Sequence, residues 1–409
     1  MSDYKRVKLA CYTANLSMSV ISNISPVLFI TFRMIYGVSY SLLGLLVLIN
    51  FCTQLTVDLL FSFFSDKFNI EKSVKLTPVL CFIGLLIYAL SPLLFPQHAY
   101  LGLVIGTVVF SASGGLGEVL ISPVIAAIPS ENPDREMSKL HSVYAWGVVF
   151  VIIIATLFIM VCGAQKWYCL VFLLMLVPFL SSILFFKAKL PDMKPEGKGL
   201  SIKKLLSDKS MLMCILLIFL GGASECTMAQ WASGFIEKAL GIPKAAGDIF
   251  GVAAFSLMLG LGRTLYSKNG KNAIKIIFLG FIGAAVCYFT AALTLNPIIG
   301  LIACAVTGFC VSMLWPGSLI VASDYRPDGG VIMYALMAAG GDLGASVTPQ
   351  LVGIITDLSM KNPGILHIAA NLGLQPEQAG MKLGILAGGL FPLVAIFVSF
   401  KILKKGEKR

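Results

Sequence analysis

Residues 100–128 read YLGLVIGTVVFSASGGLGEVLISPVIAAI, an apolar run with a single charged residue, Glu118, well inside it. At 1.5 Å of rise per helical residue, about 20 apolar residues cross the hydrocarbon core of a bilayer. The run is long enough to cross. A charged side chain near the bilayer centre costs on the order of 2.5–3.5 kcal/mol even on the mildest scale, so Glu118 is a candidate functional residue.

The rest of the chain repeats this pattern. Apolar stretches cover roughly 9–31, 39–64, 74–95, 141–162 and 168–186 before a polar interval. They resume at roughly 211–236, 248–268, 273–294, 298–322, 331–356 and 381–403. With 100–128 these make twelve expected membrane helices. Hydrophobic residues are 57% of the 409 and charged residues 12%, about half the charged share of soluble domains. The formal charge of +11 does not point to nucleic acid, because the basic residues sit in short loops and tails between apolar runs.

Their distribution sets the expected orientation. Of the 31 basic residues, only Arg33, Lys166, Lys238, Lys244, Lys361 and Lys382 fall on the face opposite the termini. Basic residues favour the cytoplasmic side, so both termini are expected in the cytoplasm of a multi-pass cell-membrane protein. The Lys5-Arg6-x-Lys8 start precedes a run too long for a cleavable signal, with no small-residue cleavage site behind it. The ten cysteines form no CxxC or Cys/His spacing and read as small buried residues.

Residues 187–210 carry Pro191, Pro195, Gly197 and Gly199 among charges and read as a cytoplasmic linker, with a short amphipathic helix at 200–208. The linker divides the chain into 1–186 and 211–409, six spans each. Faint internal similarity relates the halves: Ser122-Pro123 before Pro133 in one, Trp315-Pro316 before Pro327 in the other. Such a six-plus-six parallel repeat resembles the two halves of a major facilitator transporter.

The loop between the second and third spans strengthens that resemblance. Ser62-Phe63-Phe64-Ser65-Asp66-Lys67-Phe68-Asn69 is similar to the family's Gly-x-x-x-Asp-Arg-x-Gly-Arg signature. The acid and the following base are kept. Ser62 and Asn69 replace the glycines, and Asn accepts a left-handed turn better than most residues. The resemblance implies a cytoplasmic gate in which Asp66 and Lys67 pair with helix ends and with charges such as Arg263. A narrower likeness is to the fucose/glucose permease-like sugar symporters. It rests on Gly114-Gly115-Leu116-Gly117-Glu118 leading to Pro123, Gly221-Gly222-Ala223-Ser224-Glu225 leading to Gln230-Trp231, Gly262-Arg263, and Gly340-Gly341 leading to Pro349 and Gly353. Fucose permeases carry an acid four residues before a proline in the first span; Ser22 stands at that distance from Pro26 here. The two-acid scheme of that group is therefore not reproduced.

The all-α architecture expected is thus twelve membrane helices in two six-helix bundles. Glu118, Glu225 and Asp342 lie well inside spans and are the candidate proton-coupling residues, because burial lets a carboxyl be neutral in one state and ionised in another. Asp58, two turns before Asp66, reads as a structural charge near the cytoplasm. Asn23, Asn50, Gln54, His141, Tyr144, Trp146, Gln230 and Trp231 form the candidate substrate-binding set. Amides offer paired donors and acceptors to hydroxyls, and aromatic rings cover the apolar faces of a sugar. Arg33 and Arg263 fall near span ends, which leaves no cation at mid-span and argues against a compact anionic substrate.

The resemblance implies a secondary transporter moving a small, uncharged, sugar-like solute with a coupling ion, a proton before sodium. It would work as a monomer in membrane lipid without cofactor. An exporter of cationic or amphipathic compounds is the alternative. No HExxH or GxSxG occurs, and the three histidines are dispersed, so an enzyme is not expected.

Overall fold

The computed structural model describes residues 4–64, 67–130, 133–191, 202–269 and 272–406. Its regular structure is helical throughout the described residues, and contacts group the helices into two units.

The first unit holds α1 (Lys5–Tyr36), most of α2 (Tyr40–Phe64), α3 (Ile70–Leu94), α4 (Ala99–Ala126), α5 (Pro133–Cys162), α6 (Trp167–Leu174) and α7 (Leu176–Phe186). One end of the bundle holds an aromatic knot. Phe32 of α1 meets Trp167 and Tyr88 at 5.0 and 5.8 Å between ring centres, and Tyr88 meets Phe110 of α4 at 5.5 Å. Edge-on pairs of this kind add about 0.5–1.5 kcal/mol each beyond the area they bury. The polar tips are satisfied too: Ser25 and Tyr88 share a 2.8 Å hydrogen bond, and Trp167 Nε1 donates to the Tyr36 hydroxyl. At the other end Glu136 of α5 gathers Lys8 (3.1 Å), Lys139 (3.3 Å) and the Tyr12 hydroxyl (3.0 Å). The bond from Lys8 above all holds its carboxyl below the usual range.

The second unit contains the remaining helices. These are α8 (Ile202–Leu206), α9 (Lys209–Lys238), α10 (Lys244–Gly247), α11 (Ala254–Asn269), α12 (Ala273–Leu293) and α13 (Pro297–Val311). They continue with α14 (Leu314–Tyr325), α15 (Gly330–Ser359), α16 (Pro363–Asn371), α17 (Pro376–Gly388) and α18 (Leu390–Gly406). Residues 38–48, the start of α2, also group with it. Among the described residues, eleven helical stretches are long and apolar enough to cross a membrane. The expected span 331–356 falls within the unbroken α15, a helix that carries Asp342 and Gln350.

Two lysines inside this unit are held by specific partners. Lys382 of α17 directs Nζ to the Thr294 carbonyl (2.6 Å) and the Ala292 carbonyl (3.4 Å), capping the last turn of α12. Lys244 meets Asp248 at 3.0 Å and donates to Ser233 at 2.8 Å, where residues 248–253 form a π-helical turn leading into α11. A cation at a helix C-terminus and a paired buried acid are the two ways such charges persist in an apolar surround.

The start of α2 is fixed by side chains from the far end of α15. Asp357 accepts from the backbone N–H of Tyr40 (3.2 Å) and Ser41 (2.7 Å) and from the Ser41 hydroxyl (2.6 Å). A carboxylate on free N–H groups at a helix N-terminus is favourable both as hydrogen bonding and as charge against the helix dipole. The Tyr40 hydroxyl donates to Glu377 at 2.7 Å, and its ring lies 5.9 Å from that of Trp231. Gly353 makes the approach possible, since a methyl group there would lie 2.3 Å from the Tyr40 carbonyl oxygen.

Candidate functional site

In the first unit the polar residues of α1, α2 and α4 turn toward neighbouring helices. Asn15 Nδ2 donates to the Leu140 carbonyl of α5 (2.6 Å), and Ser19 Oγ to the Tyr144 carbonyl (2.9 Å). Asn23 Nδ2 turns back to the Ser19 carbonyl (2.9 Å). His141 lies on α5 between these two contacts. Asn50 Oδ1 accepts from Gln54 Nε2 (3.0 Å) and from Ser111 Oγ of α4 (2.5 Å), so this buried amide pair joins α2 to α4. Asn50 and Gln54 each have part of their hydrogen-bonding capacity committed within the unit.

One turn beyond Gln54, the glycines of α4 let α2 come close, and Asp58 and Glu118 meet. Their carboxylate oxygens lie within 4.8 Å of one another. Asp58 is 8% exposed, whereas the Glu118 side chain is exposed, although it lies 19 residues into a 28-residue helix. Asp58 thus joins the site as a residue that its closeness to Asp66 in sequence had disguised. At 1.5 Å per residue, Asp58 lies about 9 Å along α2 before that helix ends at Phe64.

Trp146 is 68% exposed and lines an open, mostly apolar groove of about 680 Å³ along α1 and α5, with Tyr12, Leu16, Lys139 and Phe150. Asp66 lies outside the described residues. Lys67 is exposed, its ammonium 5.0 Å from the centre of the Phe64 ring. Asn69 adopts extended backbone rather than a left-handed turn, and its side chain caps α3 by accepting from the Lys72 N–H. The residue in the glycine's place serves the next helix instead.

In the second unit Trp231 is 1% exposed, with its indole N–H bound to the Pro349 carbonyl at 2.9 Å, and Gln230 beside it is buried. Asp342 is buried on α15, which packs along α9. Trp315, which sequence reading noted only for the proline after it, is partly exposed, its ring resting on Gly341.

Arg263 lies near the end of its span, as expected, three residues before Tyr266, but its side chain meets groups from the middle of other spans. Its Nη2 meets Glu225 Oε1 at 3.1 Å, halfway along α9, and its Nε donates to the Ser312 carbonyl at 3.0 Å, where α13 ends. A long side chain reaches back along its own helix, so a residue near the end of a span places its charge deeper. The guanidinium of Arg263 therefore stands beside an acid halfway along α9, although its backbone lies near a span end.

A family model described as Major Facilitator Superfamily matches residues 10–349. The chain belongs to the major facilitator superfamily. No curated protein matches it at the level of sequence. Solved structures similar to it in fold include a bacterial homologue of the human lysosomal transporter Spinster, inward-facing and occupied. The TM-score is 0.74 at 12% identity, over 99% of this chain and 97% of that one. A D-xylose–proton symporter also gives 0.74, at 16% identity over 98% of each chain. The E. coli fucose:proton symporter FucP gives 0.58, at 14% identity over 98% of this chain and 99% of that one. At these identities the likeness establishes the fold, and the chain is a multi-pass secondary transporter rather than an enzyme.

Proposed function

We propose that this transporter carries a small, hydroxylated, sugar-like solute across the cell membrane by proton symport, with both termini on the cytoplasmic side. The observation that carries the reading is the Asp58–Glu118 pair. Two carboxylates within 4.8 Å repel by about 3 kcal/mol or more at an effective dielectric of ~20 if both are ionised. A shared proton removes that repulsion, and the exposed Glu118 side chain gives a proton a way in and out. The amides of α2, Asn50 and Gln54, supply the paired donors and acceptors that hydroxyls require. The same two acids would also draw a cationic solute, and the open apolar groove beside Trp146 favours that second reading, an exporter of amphipathic cations.

Purified protein in proteoliposomes separates the two. Under an inward proton gradient, uptake of a labelled monosaccharide above the level reached with a sodium gradient supports the symporter. Gradient-driven movement of a lipophilic cation, with no sugar uptake, would replace it with the exporter. Orientation has its own check, resting on the basic bias. A cysteine introduced at 358–380 should react with an impermeant thiol reagent applied outside cells, and one at 192–200 should not; the reverse pattern overturns it.

A further inference from the structure

We infer that Arg263 is an anion-recognition residue and that the hydroxylated solute carries a carboxylate, making it a sugar acid rather than a neutral sugar. The inference rests on the transporter reading and narrows its substrate class.

Its ground is how the guanidinium is held. Arg has five N–H donors. Two are engaged, Nε by the Ser312 carbonyl and one Nη2 hydrogen by Glu225. These two contacts fix the plane of the group from α13 and α9 while α11 supplies its stem. Gly262 is what brings α11 this near, since a methyl group there would lie 2.2 Å from Ser312 Oγ. The side chain is nevertheless 42% exposed, against 15% for Glu225. The guanidinium is thus anchored on one side and open on the other, with both Nη1 hydrogens outside these contacts.

A planar fork oriented in this way is suited to a carboxylate, which accepts two parallel N–H bonds, and is of little use to an isolated hydroxyl. Partial exposure spares the guanidinium the desolvation cost of full burial and leaves its unengaged donors open to an incoming solute. Glu225 has a second part. Its negative charge orients Arg263 but also opposes an incoming anion, so its removal should favour acidic solutes.

That gives the test a sign that loss of a structural tie would not produce. Binding to the full-length protein in detergent would be measured by isothermal titration for the matched pairs glucose and glucuronate, galactose and galacturonate. The acid of at least one pair is expected to bind at least tenfold tighter than its neutral partner. Arg263→Lys, which keeps the charge and loses the fork, should weaken that acid at least tenfold and leave the neutral sugar unchanged. Glu225→Gln should bind the acid several-fold tighter than the wild type. The inference is overturned if neither acid binds the wild type, or if neutral and acidic members bind alike. It also fails if Arg263→Lys leaves acid binding as it was, or if Glu225→Gln weakens acid and neutral sugar together. Should Arg263→Lys prove polydisperse on gel filtration, the Glu225→Gln measurement decides. A neutral sugar accumulated in proteoliposomes with unaltered Arg263→Lys kinetics would leave the symporter reading standing and remove only the anion. An absence of gradient-driven uptake for all four sugars would remove the symporter reading itself.

Discussion

Glu118→Gln should leave exchange of solute across the membrane intact and abolish accumulation driven by a proton gradient. The substitution fixes the side chain in the shape of its neutral form. Exchange needs only that a loaded carrier cross and return, with no net release of a proton. Accumulation needs a group that gains a proton on one side and gives it up on the other, because a gradient acts only through a differential interaction with the two states. Each unit of pH difference is worth about 1.4 kcal/mol, a tenfold concentration ratio. A vesicle experiment with a two-unit gradient should therefore show a large ratio for the wild type and a ratio near one for the variant. Asp58→Asn should uncouple as well, since Asp58 supplies the charge that makes a proton on Glu118 worth having. Glu225→Gln and Asp342→Asn are the comparison. If either of them abolishes accumulation while Glu118→Gln accumulates normally, coupling belongs to α9 or α15 and not to the pair on α2 and α4.

The elements that hydropathy sees were legible in the sequence, and the breaks within them were not. The fourth span was expected at 100–128 and is Ala99–Ala126, because a run of apolar residues long enough to cross a bilayer has few alternatives to a helix. The first and fifth helices begin earlier than expected, at Lys5 and Pro133, since a helix does not stop where the hydrocarbon does. The breaks near Met175, Ser312–Met313 and Gly389 and the π turn at 248–253 lie inside apolar runs and leave hydropathy unchanged. Polar residues were legible as polar, but their partners were not. Nothing in the spacing of Asn15 assigns it the Leu140 carbonyl, and nothing in that of Glu225 assigns it Arg263, because those partners come from helices distant in sequence.

The contact of α2 with α15 carries the second large effect. Gly353→Val should dislodge the first turns of α2, since a methyl group alone at that position would lie 2.3 Å from a backbone oxygen that cannot rotate away. Asp357→Asn should act in the same direction more gently. It keeps the volume but loses the negative charge that two backbone N–H groups and the Ser41 hydroxyl now meet. Losing such charge-assisted bonds costs about 1–3 kcal/mol. Against a two-state equilibrium, that shifts the populations by roughly 5- to 150-fold. Alternating access exposes a site first to one side and then to the other, so a contact of this kind is useful when its strength is matched to its release. Transport should therefore fall at least tenfold in Gly353→Val, with amide exchange of residues 38–48 accelerated and that of α12 and α18 unchanged. Gly260→Ala supplies the control, because the space beside that glycine is open and alanine is the better helix former by roughly 1 kcal/mol. Should residues 38–48 exchange no faster in either variant than in the wild type, the Asp357 bonds hold nothing that transport must undo. The start of α2 would then be a fixed part of the second unit.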